Sequence, residues 1–298
     1  MSARRVRRNR PIPCVLTIAG SDSGAGAGIQ ADARTIQALG GYALTAITAV
    51  TAQNGRGVVA WEAVPARLIS AQITAVLDGF PVSAIKTGLL PGAVAIRAVA
   101  RALHARQPIR GFQPKSSRGH GLEARATSDR GSYQRLALVV DPVMGSTSGM
   151  SFLSPRGAAV LKRELLPLAA LVTPNWPEAE ELTGLRVRSA RQAEAAARAL
   201  ARECGCAVLV KGGHGRGRTC RDCLVTAGGR VRWYTSPRIA TRNTHGTGCV
   251  LASAIALELA RGRELGEAVR SARRFLWKSL NRSKAARWGR GSGPAFAG

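Results

Sequence analysis

The segment Asn243-Thr244-His245-Gly246-Thr247-Gly248-Cys249 joins a glycine-rich turn to a nucleophilic side chain. Two glycines around a threonine let successive backbone N–H groups point at one spot, which is the geometry of an anion cradle. The apolar run at 250–260 predicts a helix. The cradle would then sit at a helix N-terminus, where free N–H groups and the macrodipole favour negative charge. Such a loop suits a transferring phosphoryl group, whose charge develops on its oxygens. Cys249 falls in the first turn, and that position predicts a lowered thiol pKa. A plain turn that only starts a helix has the same local pattern, so the surrounding residues must decide.

Other polar residues recur where apolar runs end: Ser21 and Asp22, Gln53 and Asn54, Asp141, Asn175, and Lys211. Gly24-Ala25-Gly26-Ala27-Gly28 follows one such run and opens a helical pattern. Its spacing is not that of a dinucleotide-binding loop, and no Walker-type phosphate loop occurs. The run reads either as a tight turn or as one wall of a small-substrate pocket, in which Asp32 and Gln53 bond a polar heterocycle. Asp141, Asn175 and Glu178 could hold Mg²⁺ through water, since that ion keeps several waters and bridges phosphates. Glu178 also fits as a first-turn acid meeting a helix dipole. Lys211, with Gly212 and Gly213 behind it, suits a nucleotide phosphate, or else is a solvated strand-end lysine. His214 is given no role.

The elements that must position these residues follow from periodicity. Short β-branched or apolar runs at 14–19, 42–52, 82–86, 136–141, 170–173 and 207–211 predict strands. Helical patterns at 29–39, 67–79, 93–105, 155–165 and 190–203 alternate with them. That alternation predicts βαβ units and a mainly parallel sheet covered by helices on both faces. Ligands bind such sheets at the C-terminal edge of the strands, where the polar residues gather. One domain is expected over 13–280, after a basic arm at 1–12 and before a tail at 281–298 that shows no element signal. Residues 107–135 are basic, rich in Gly and Ser and without periodicity, and predict a surface insertion.

The chain has 298 residues, 45% of them hydrophobic, which indicates a folded protein with a substantial core. No apolar run reaches the length of about 18 residues needed to span a bilayer. The N-terminus is Arg-rich but lacks the apolar segment of a secretory signal; its composition also fits an organelle-targeting peptide. The net charge of +27 raises nucleic-acid binding. The basic residues, however, are spread over arm, insertion and C-terminus, and aromatics are only 4%, thin for base stacking. We read the charge as solvated surface and expect no dedicated nucleic-acid partner. Six cysteines in a chain of this length do not suggest a disulfide scaffold. Cys204, Cys206, Cys220 and Cys223 have C-x-C and C-x-x-C pairs, and the first pair is too tight for a zinc ribbon, so reduced cysteines are expected.

With these residues in view, the chain resembles the hydroxymethylpyrimidine/phosphomethylpyrimidine kinases of thiamine biosynthesis, in the ribokinase-like superfamily. The matching runs are 17–32, Thr51-Ala52-Gln53-Asn54, Lys86-Thr87-Gly88-Leu89, Asp141-Pro142-Val143-Met144, 173–179, 210–214 and 243–249, in the family's order. The resemblance implies a three-layer α/β/α fold, a cytoplasmic homodimer, and ATP- and Mg²⁺-dependent phosphorylation of the pyrimidine's hydroxymethyl group. A second phosphorylation to the diphosphate commonly follows in the family. By carry-over, Gly20, Ala27, Asp32 and Gln53 would line the pyrimidine pocket with Val143 beside it. Asp141 and Glu178 would serve Mg²⁺ and ATP, Lys211 and Gly213 would lie near the nucleotide, and Gly246, Thr247 and Gly248 would form the anion hole. Cys249 stands where many related sugar kinases carry an aspartate base; proton abstraction and positioning are both compatible with the motif. Leu89 stands where the family often has Met, and the 24–28 run carries more alanine than the family's usual glycine run. The alternative is a pyridoxal kinase of the same superfamily, whose members resemble each other in a further cysteine after the Asp-Pro-Val-Met run. Here that stretch is Gly145-Ser146-Thr147-Ser148-Gly149, without one. A second alternative is a degraded kinase acting as a basic nucleic-acid-binding or regulatory protein.

Overall fold

A computed structural model describes residues 11–105, 136–145 and 149–296. The expected insertion at 107–135, most of the N-terminal arm and residues 146–148 lie outside the described residues. The strands are β1 (Cys14–Asp22), β2 (Tyr42–Asn54), β3 (Gly57–Ala63), β4 (Val82–Thr87), β5 (Ala137–Val140), β6 (Leu171–Val172), β7 (Ala207–Val210), β8 (Thr219–Val225) and β9 (Val231–Pro237). They form one sheet in the order β3-β2-β1-β4-β5-β6-β7-β8-β9. From β2 to β7 every pairing is parallel, whereas β3 and the β8–β9 hairpin close the two edges antiparallel. The parallel sheet is as the alternation predicts. The edge strands had no such signal: β3 and β9 are largely exposed, and β8 carries Arg221 and Asp222 within its run.

Helices α1 (Gly28–Ala38), α2 (Ala66–Gly79), α3 (Gly92–His104), α4 (Pro155–Val160), α5 (Trp176–Thr183), α6 (Ala190–Cys204), α7 (Thr247–Ala260) and α8 (Leu265–Ser283) cover the sheet. Successive strand residues point to opposite layers, so neighbours such as Val15 and Leu16 belong to different cores. Leu16, Ile18, Ile85 and Val140 pack under α2 to α6, while Val15, Ala84, Val139 and Leu209 meet Ile36 of α1 and the inner faces of α7 and α8. With both faces covered, the central strands read as continuous apolar runs. Helix α7 is buried almost all round, which is why its sequence shows apolarity without a polar stripe.

Helix α8 was not foreseen. Arg270, Arg273, Arg274 and Lys278 dominate its sequence, but Leu265, Ala268, Val269, Ala272, Phe275 and Leu276 recur at helical spacing and turn inward. The residues after it do not trail away. Ala295 and Phe296 are buried, Phe296 against Phe275 with ring centroids 5.3 Å apart. Among the described residues no helix is long and apolar enough to cross a membrane, and no three His, Cys, Asp or Glu side chains gather as a metal group.

Candidate active site

The C-terminal edge of the parallel strands brings most of the expected residues together. Asp141, just past β5, is buried and accepts hydrogen bonds from Lys211 Nζ at 2.6 Å and Thr173 Oγ1 at 3.1 Å. Lys211 follows β7, and its Nζ also lies 3.8 Å from Glu178 Oε2. A Cβ on Gly248 would come within 3.1 Å of Asp141 Oδ2 and 3.2 Å of Lys211 Nζ, so glycine lets the cradle press onto this acid–lysine pair. Gly246 caps α7 at φ 80°, a left-handed conformation suited to glycine. It abuts the backbone of Gly26 and Ala27, which joins the cradle to the turn that opens α1.

Glu178 and Asn175 form a capping box at the start of α5. Asn175 Oδ1 accepts from the Glu178 N–H at 2.9 Å, and Glu178 Oε2 accepts from the Asn175 N–H at 2.7 Å. Asn175, expected at the nucleotide, thus uses its Oδ1 in the cap that starts α5. Burial pushes the Glu178 carboxyl up to about 7, with neighbouring Asp141 adding to the shift and Lys211 opposing it. Lys211 is held above its ordinary value: burial opposes its charge, but Asp141 and then Glu178 outweigh that. Gly213, in the Gly212–His214 turn, has open space over its Cα.

On the other side, Gln53 ends β2 and its Nε2 lies 3.0 Å from His245 Nε2. The same ring nitrogen is 2.8 Å from Asp22 Oδ2. Asp22 also accepts from the Gly24 N–H and the Ala27 N–H, each at 2.8 Å. Burial works against its charge, yet the bonds from His245 and from the Ala27 and Gly24 N–H groups hold the carboxyl below its ordinary range. Gly20 packs on Leu89, and Leu89 shares a small apolar cluster with Ala49, Phe152, Val143 and Trp61. Gly20 and Val143 thus flank one apolar wall, while Gln53 and Ala27 stand at the polar side.

Asp32, expected to line the pyrimidine pocket, is fully buried, and its carboxylate accepts from Thr17 Oγ1 at 2.5 Å, Lys86 Nζ at 2.7 Å and Ser253 Oγ at 2.7 Å. It ties β1, β4 and α7 together beneath the site. Burial opposes the Lys86 charge, but Asp32 above all keeps its pKa above the ordinary value. One expectation is overturned: the Cys249 thiol is not lowered by its helix. Burial pushes it up to about 11, because desolvation and the nearby Asp32 and Asp141 outweigh Lys86 and the Gly28 N–H.

Sequence reasoning passed over Lys86, His245 and Asp222. A lysine inside an apolar strand run must find a buried partner, and that signal was present at Lys86. Asp222 bonds the Gly212 N–H at 2.6 Å and Arg273 Nε at 2.6 Å, so it anchors the turn behind Lys211.

The family model described as phosphomethylpyrimidine kinase matches residues 22–110 and 124–296. The chain is 44% identical to the hydroxymethylpyrimidine/phosphomethylpyrimidine kinase of Rhizobium meliloti, over 94% of each chain. It is 42% identical to the thiamine biosynthesis bifunctional protein of Geobacter sulfurreducens over 96% of its own length, but spans only 53% of that protein. Among solved structures, an ADP complex of Bacillus subtilis pyridoxal kinase superposes with a TM-score of 0.75 at 30% identity, covering 91% of this chain and 92% of that one. The phosphomethylpyrimidine kinase of Clostridium difficile gives 0.71 at 35% identity, covering 90% and 99%. A ribokinase-like α/β sheet and a family match over most of the chain lead to one assignment: the chain belongs to the phosphomethylpyrimidine kinase family.

Proposed function

We propose that this chain transfers the terminal phosphoryl group of ATP to the hydroxymethyl group of 4-amino-5-hydroxymethyl-2-methylpyrimidine. In the same reading it then acts on the monophosphate to give the diphosphate, as a cytoplasmic homodimer. The observation that carries this reading is the close approach of Gly248, at the N-terminus of α7, to Asp141 and Lys211, because it sets a helix N-terminus and an ammonium beside one carboxylate. Gln53 and the Leu89–Val143 wall hold the pyrimidine; Lys211 and the open face at Gly213 take the nucleotide phosphates.

Asp141 and Glu178 fit Mg²⁺. Among the described residues no third His, Cys, Asp or Glu joins these two carboxylates, which suits an ion that completes its shell with water and phosphate oxygens. When bound, that ion would neutralise charge on the phosphate oxygens. Burial pushes the Cys249 thiol up to about 11, which favours a role in orienting the substrate hydroxyl over one in removing its proton. A loose phosphoryl-transfer transition state asks little of a base, so orientation and the cradle carry most of the catalysis.

The purified chain is to be incubated with ATP, Mg²⁺ and either the pyrimidine or pyridoxal, and the products resolved by mass. The pyrimidine monophosphate and diphosphate are the expected products. Phosphorylation of pyridoxal alone would move the chain to the pyridoxal kinases, and no turnover of either would point to a repurposed member.

A further inference from the structure

We propose that the segment Ser292–Phe296 is a positioning element of the substrate site, holding His245 and, through it, Gln53 and Asp22. The segment runs between two loops that both carry site residues. The His245 N–H donates to Gly293 O at 3.1 Å, and the Ala295 N–H donates to His245 O at 2.8 Å. These bonds make a parallel bridge between His245 and Pro294. On its other side, the Ser292 N–H donates to Gly55 O at 2.7 Å, in the turn just after Gln53 and Asn54. Ser292 Oγ donates to Arg242 O at 2.8 Å, at the base of the cradle loop.

The strap is anchored at both ends. Asn243 Nδ2 donates to Ser283 O and Ala286 O, which fixes the exit from α8. Phe296 is buried against Phe275, and its carbonyl accepts from Arg34 of α1. Between the anchors the fit is close: a Cβ on Gly55 would come within 2.7 Å of Arg290 O and 3.0 Å of Ser292 O, and one on Gly293 would meet Asn243 and Trp288. His245 therefore has its backbone bonded on both polar groups while its ring meets Asp22 and Gln53. Without the strap those two backbone groups return to water, and the ring loses the register that sets Gln53.

This inference rests on the proposed reaction, so its test carries a readout that does not depend on turnover. Three chains are to be compared: the full chain, one ending at Trp288, and the full chain with Ala295→Pro, which removes the N–H donated to His245 while keeping the rest of the strap. Thermal melting checks that each is folded. The expected result is a KM for the pyrimidine raised roughly ten- to hundredfold in both variants, with the KM for ATP unchanged. The nitrogen resonances of the His245 ring should move toward those of a solvated imidazole in both variants. Equal rises in both KM values, or unchanged KM values, would overturn the proposal. So would His245 resonances that stay in place, and this holds even if the full chain proves inactive on the pyrimidine.

Discussion

Asp32 and Cys249 illustrate how burial redirects a side chain whose type suggests chemistry. Asp32 holds a buried lysine, and removing one partner of such a pair leaves an uncompensated charge. Asp32→Ala is expected to cost about 3–5 kcal/mol in a urea denaturation, more than a pocket residue would. For Cys249, folding favours the protonated thiol. The stability this contributes is complete below about pH 9 and is lost as the pH rises toward about 11. Cys249→Ala should lower kcat far more than it raises KM, with the pH profile of the native enzyme showing no thiolate limb below pH 9. Ala25 is the only non-glycine described residue with positive φ, at 57°. A left-handed alanine costs about 1 kcal/mol, so Ala25→Gly should raise the melting temperature slightly. The motif residues were legible in the sequence because glycine spacing and strand-end polarity are local. The fate of Asp32 was not, because its partners Thr17, Lys86 and Ser253 come from three separate elements.

The elements fall into those announced by periodicity and those hidden by charge. The parallel strands and α1 to α7 stand near where their patterns place them. The β8–β9 edge hairpin and α8 did not announce themselves, since an edge strand and a surface helix each spend half their residues on solvent. Yet these hidden elements support the turn behind Lys211. Asp222 on β8 and Arg273 on α8 form an ion pair of 2.6 Å under the Gly212 N–H. Arg238, just past β9, adds bonds to the carbonyls of Gly213 and Gly215. Asp222→Ala should loosen the turn behind Lys211 and raise the KM for ATP several-fold, while the KM for the pyrimidine stays put. An equal rise in both would show general unfolding instead.

At the scale of the whole molecule, the site is a meeting of distant chain segments. Asp22 and His245 are 223 positions apart in sequence, and Asp32 and Ser253 are 221 apart. The long edge-to-edge sheet, with its single run of parallel pairing, was foreseeable; which remote loops touch across its rim was not, because contacts of that span leave no periodic trace. The same span governs how the enzyme comes into being. Loops separated by most of the chain close late, after the entropic cost of the intervening links has been met. On dilution from denaturant, circular dichroism should recover first and phosphoryl-transfer activity should lag behind it; coincident recovery would contradict this order. A newly folding chain would thus hold its helices and strands for a time as an inert scaffold, and acquire catalysis only when its first strand and its seventh helix are locked face to face.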